Sequence, residues 1–278
     1  MVNSTEMNRA IRNVLLVVEG DKEEHRLVDV LFNTLIHEAE WKIYTYGTVI
    51  HELIRRINDD YDGDFENIEI RKVLAEMLPD SAEATRDMLL CTRFTDVILM
   101  FDFDPQDDRM DIEGLRTMVS IFNDSSDTDR GLLLINYPAI ESVKEAAALP
   151  YDVFLKSYTN REALKTYKQD VNQTVSKYPG HYNDFRDYGA KPLTKAIAYT
   201  VGKIQYVLDN RQMEKTFPYM HSESLSDICW SIPLLRLLDY QIEEYKSNGK
   251  IAACGTGPFF VAAWKKSLDG AWKAFFGD

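Results

Sequence analysis

Four short apolar runs, each followed by a helical pattern, limit what this chain can fold into more than any other feature. They are residues 14–18 (VLLVV), 41–46 (WKIYTY), 96–101 (DVILMF) and 132–136 (LLLIN). Runs that are apolar throughout suit strands covered on both faces, whereas 41–46 alternates. After the first run, Leu27, Val30, Leu31, Leu35 and Ile36 recur at helical spacing. After the second, Thr48 stands where it could cap a helix carrying Val49, Ile50, Leu53, Ile54 and Ile57. Residues 68–90 read as helix with a break at Pro79-Asp80, 111–122 read as helix, and 123–131 (NDSSDTDRG) read as a polar loop. This alternation predicts an α/β fold with a mostly parallel sheet flanked by helices. Beyond about residue 142 no further strand is expected, and 142–170, 191–215, 223–247 and 259–276 read as helices. The expectation is a sheet domain over 1–150 and a mainly helical C-terminal domain over 151–278.

Composition narrows the class. With 278 residues, 45% hydrophobic and 28% charged, the chain is neither disordered nor fibrous. It holds no run of 18 apolar residues, so no membrane is expected. The opening MVNSTEMNRAIRN lacks a signal-like apolar core, and Cys91, Cys229 and Cys254 are few and far apart. Both features point to a cytoplasmic location with reduced thiols. A net charge of −13 argues against a protein that coats nucleic acid. The charge is uneven, however: residues 156–215 carry 11 Lys/Arg against 6 Asp/Glu, and the remainder is strongly acidic. Such a division fits a polyanion-binding segment beside a metal-binding one, or ordinary scatter on solvated helix faces.

The acids fall in a telling place. Ligands of open parallel sheets bind beyond the carboxyl ends of the strands. The first run ends in Glu19, the third in Asp102 and Asp104, and Glu141 follows the fourth. Alternation along a strand turns Asp102 and Asp104 the same way and Phe103 into packing. Oxygen-only ligands suit Mg2+, or Mn2+, rather than zinc. Asp107, Asp108 and Asp111 either extend the set or are solvated loop acids. The five histidines (25, 37, 51, 181 and 221) show no metal-ligand spacing with the cysteines, and no P-loop motif is present.

The stretch VVEGDKEEHR, the strand ending Asp102-x-Asp104 and the segment LLLINYPAIES together resemble the TOPRIM domain over residues 13–142. That domain is shared by topoisomerases, bacterial primases, recombination proteins and OLD-family nucleases, and the wording here is most similar to small TOPRIM nucleases of phage defence. The resemblance implies that Glu19 is a metal ligand or general acid/base, that Asp102 and Asp104 are metal-binding and catalytic, and that Glu141 is a further ligand. Asp21-Lys22 departs from members with a small residue after the glycine. The implied activity is Mg2+-dependent cleavage of DNA or RNA phosphodiesters, in prokaryotic antiviral defence. The implied partner, besides nucleic acid, is a separate ABC-type ATPase chain, and homo-oligomerisation is left open. The alternative is a non-catalytic TOPRIM module that binds nucleic acid or a partner in recombination or repair. Lys22 and Arg26, after Glu19, and Lys191 and Lys195, within the basic aromatic second half, are the candidate phosphate contacts.

Overall fold

The computed structural model describes residues 11–20, 22–35, 40–209 and 233–255. The first half runs β1 (Ile11–Val18), α1 (Glu23–Leu35), β2 (Glu40–Gly47), α2 (Ile50–Asp60), α3 (Ile70–Glu76), α4 (Glu83–Cys91), β3 (Asp96–Asp102), α5 (Ile112–Ile121), β4 (Leu132–Asn136) and α6 (Ser142–Ala148). The four strands make one parallel sheet in the order β2-β1-β3-β4. The apolar runs of β1 and β3 fill its two central positions, and Val14–Val18 and Val97–Phe101 are almost wholly buried. Of the two edge strands, β4 is buried throughout, whereas β2 is mostly half-exposed or exposed, which fits its alternation; Trp41 of β2 stacks on Phe32 of α1 at 3.9 Å. The chain leaves β1 in one direction towards β2, then returns across it to build β3 and β4. The direction of winding therefore reverses between β1 and β3, which is where a parallel sheet opens a crevice at its carboxyl edge.

The helices differ from expectation in the start of α2, and the helix expected over 142–170 is broken into short helices, a 3-10 turn and a strand. α2 begins at Ile50 after Val49, with no side-chain cap. Thr48 does not serve as the cap, and its backbone N–H is held by the Val18 carbonyl at 2.9 Å.

The second half adds α7 (Tyr151–Leu155), β5 (Tyr158–Asn160), a 3-10 turn (Ala163–Thr166), α8 (Tyr167–Val175), α9 (Ala190–Asp209), α10 (Leu234–Asn248) and β6 (Lys250–Ala252). β5 and β6 pair antiparallel, a feature absent from the sequence reading because three residues are too few to show a period. The start of the helix expected over 223–247, the end of that over 191–215 and all of that over 259–276 lie outside the described residues. α6 is buried along its whole length and packs against α9. Gly202 of α9 admits Tyr151, since a Cβ there would lie 2.2 Å from the Tyr151 hydroxyl. One continuous apolar core runs from Val14 in β1 through Ile197 in α9 to Ile242 in α10.

Two buried lysines tie these layers. Lys144 of α6 reaches Glu23 of α1 at 3.0 Å and Asn172 of α8 at 3.3 Å, with its ammonium 5.0 Å from the Phe185 ring centre. Lys203 of α9 is fully buried; it donates to the Phe154 carbonyl at 2.9 Å and to the Ser157 carbonyl, so it closes the end of α7. Burial brings its pKa down to about 8. A base with a depressed folded pKa favours folding as it loses its proton, so stability should climb between pH 8 and the unfolded value of 10.5. Chemical denaturation at several pH values checks this. The wild type should gain about 3 kcal/mol over that window relative to Lys203→Met. Parallel curves for the two proteins would mean that the ammonium is solvated.

Candidate active site

At the carboxyl edge, the crevice between β1 and β3 is a cleft of about 140 Å3. Glu19, Asp102, Asp104, Gln106, Tyr167 and Lys168 are among its lining residues. Parallel register sets the first three side by side: Val18 stands opposite Met100, so Glu19 emerges next to the end of β3. Phe103, between the two aspartates, also borders the cleft but is buried against Tyr137, with ring centres 5.3 Å apart.

Asp102 is the most heavily contacted acid of the cleft. Its Oδ1 accepts from the Ile140 backbone N–H at 3.0 Å and from Asn136 Nδ2 at 3.4 Å. Its Oδ2 accepts from Lys168 Nζ at 2.8 Å. Glu141, just before α6, is buried, and its Oε2 has no hydrogen-bond partner. Burial pushes the Glu141 carboxyl above its ordinary range; Lys168 opposes this and Asp102 adds to it. Glu19 is pushed up in the same way, by burial and then by the charge of Asp102.

A fifth carboxylate belongs to this group, and the sequence reading passed over it. Glu24, in the first turn of α1, is only 5% exposed, and its pKa is pushed up to about 7 by burial, with Asp102 and Glu141 adding to the effect. Gly20 makes room for it: a Cβ there would lie 3.2 Å from Glu24 Oε2. Lys168 was counted only among the basic residues of the second half, yet it is the cation of the cleft. Burial works against its charge, but Asp102, Glu141 and Glu24 outweigh that and drive its pKa up.

The other expected residues do not line the cleft. Lys22 and Lys191 are exposed. Arg26 pairs with Glu23 at 2.6 Å. Lys195 donates to the Ala147 carbonyl at 2.7 Å and so joins α9 to α6. His25 bonds Thr45 of β2 at 3.2 Å. Asp107 is held well below its ordinary range by Arg109, and Asp111 caps α5 through the Gly114 N–H at 3.0 Å.

An oxygen-only set with an orphaned buried carboxylate oxygen fits a hard divalent cation. Among the described residues, no group of three His, Cys, Asp or Glu side chains already stands in a form that holds a metal ion. The donors fit, but the site is not drawn together. Likewise among the described residues, no helix is long and apolar enough to cross a membrane. Compared with known proteins, the chain matches no family model, no curated protein and no solved structure.

The cluster has a thermodynamic signature. An acid with a raised folded pKa supports folding below its unfolded pKa, and this support fades as pH rises through the folded value. For Glu24 the window runs from 4.5 to about 7. In EDTA the wild type should lose about 3 kcal/mol across it. Glu24→Gln should remove most of that loss, as read by denaturation at pH 5 and pH 8. An equal loss in both proteins would place the Glu24 carboxyl outside the cluster.

Proposed function

We propose that this chain is a TOPRIM-like nuclease that cleaves nucleic-acid phosphodiesters with Mg2+ or Mn2+, as an effector of prokaryotic antiviral defence. The observation that carries the reading is a group of carboxylates gathered at the switch point of a parallel sheet, with Lys168 as the cation in the cleft. Two like charges about 5 Å apart at an effective dielectric near 20 repel by about 3 kcal/mol, so such a group is costly unless a cation or a proton relieves it. The resemblance of VVEGDKEEHR and of the Asp102-x-Asp104 strand to TOPRIM nucleases gives the chemistry its direction.

Glu19, Asp102 and Asp104, with Glu141 behind them, are the residues that would hold the cation. A bound Mg2+ supplies charge to a phosphoryl oxygen and lowers the pKa of a coordinated water. Glu24, poised near neutrality, can take a proton from an attacking water or return one to the leaving oxygen. Water is the favoured nucleophile over tyrosine. Tyr167 lines the cleft, but its hydroxyl donates to Glu145 at 2.5 Å, and burial raises its pKa well above the ordinary value. By the same resemblance, the working assembly includes a separate ABC-type ATPase chain in the cytoplasm.

Plasmid, linear duplex, single-stranded DNA and total tRNA, each with Mg2+, Mn2+ or EDTA, form the test panel. Wild type should cut at least one substrate, EDTA should stop it, and Asp102→Asn and Glu24→Gln should each slow it by about 100-fold or more. Equal cutting by wild type and Asp102→Asn would sink the assignment. Binding of nucleic acid without cutting, also in the presence of the ATPase chain, would favour a non-catalytic module.

A further inference from the structure

Lys168 is a peculiar ion-pair partner. It comes from α8, in the second half of the chain, yet its ammonium lies on Asp102 Oδ2. Asp102 Oδ1 is already committed to the Ile140 N–H and to Asn136, so Oδ2 is the oxygen left for any ligand in the cleft. A divalent cation and the ammonium therefore compete for the same atom.

The contact is not what holds α8 in place. Val171 and Val175 are buried in an apolar cluster with Ala139 and Ala148. The Tyr167 hydroxyl is fixed on Glu145, which also accepts from Ser157 at 2.9 Å. Asn172 accepts from the buried Lys144. The Lys168 side chain, by contrast, is 59% exposed. Asp102 is only 11% exposed, so the pair opens to water on the lysine side alone, where the ammonium can swing away while the helix stays in place. The helix is anchored independently, and the lysine is delivered to the cleft on its end.

Resting on the reading of the cleft as a divalent-cation site, we propose that Lys168 is a tethered counter-ion that occupies Asp102 in the metal-free protein and must be displaced for the cation to bind. The hold of Lys168 on Asp102 then limits metal affinity. By linkage, whatever draws the Lys168 side chain off Asp102 raises that affinity, and metal binding weakens the Lys168–Asp102 contact by the same factor.

The test is Mn2+ binding to the full chain without nucleic acid, followed by calorimetry and by electron paramagnetic resonance of free Mn2+. It compares wild type with Lys168→Met, Lys168→Arg and Asp102→Asn, each first shown by thermal melting in EDTA to be folded. Lys168→Met should bind Mn2+ about tenfold tighter, the equivalent of about 1.4 kcal/mol. Lys168→Arg, which keeps the charge, should stay near wild type, and Asp102→Asn should bind much more weakly. Lys168→Gln serves in place of the methionine variant should that one not fold. If the methionine variant binds no tighter than wild type while Asp102→Asn still loses the metal, the counter-ion role is wrong and the metal centre stands. If Asp102→Asn binds Mn2+ as wild type does, the reading of the cleft fails, and the counter-ion role with it.

Discussion

In a parallel sheet every strand delivers its carboxyl end to the same edge, and here that edge gathers charge that the fold does not neutralise. The two ends of β3 make the contrast plain. At its start, Asp96 is fully buried, but Arg12 reaches it at 2.8 Å, the Thr95 hydroxyl at 2.8 Å and the Ser125 hydroxyl at 3.2 Å. That is how a buried acid is normally satisfied. At the other end, Glu19, Glu24, Asp102 and Glu141 share Lys168, and Glu141 Oε2 has no hydrogen-bond partner. One sheet thus holds a finished structural acid and an unfinished cluster about one strand length apart.

The unfinished end must be carried by stability gained elsewhere. The interiors of β1 and β3 are almost completely dry, and α6 is buried along its length, packed against α9 and α8. Lys144 links α1, α6 and α8, so the helices that bear Glu24 and Lys168 and the one that Glu141 precedes are fixed to one another by a buried cation. Strain of this kind is commonly retained where a protein binds or reacts, because relieving it would remove the function. The raised carboxyl pKa values express the same tension in protons.

What could be read in the sequence followed from local rules. Fully apolar runs announced the strands covered on both faces, β1, β3 and β4, and alternation announced the half-exposed β2. Period two placed Asp102 and Asp104 together and Phe103 inside. The rest depended on contacts that no local pattern encodes. Glu24 lies one turn into α1, where an acid reads as an ordinary first-turn residue, and only the approach of its carboxylate to Gly20 turns it towards the cleft. Gly20 was itself the available clue, since a glycine next to Glu19 leaves space for a neighbouring side chain. Lys168 meets Asp102 across 66 residues of sequence. Lys195 read as a phosphate contact because it is basic and near aromatic residues. Its partner is instead a carbonyl at the end of α6, a role that depends on how α6 and α9 pack.

The division at Leu149-Pro150 separates strands from helices in the sequence, but not in the chemistry of the cleft. Tyr167 and Lys168 come from beyond that point and stand among the residues of β1 and β3. Tyr167 is oriented by Glu145, which belongs to α6, and α6 follows directly from the segment that places Glu141. Each half therefore positions groups that face the other. An acidic cluster on a sheet alone would attract any cation, whereas one shared with a lysine from a separately anchored helix responds to where that lysine sits. On the counter-ion proposal, control of the cleft from the second half needs no rearrangement of the sheet or of α8, only release of the Lys168 side chain from Asp102.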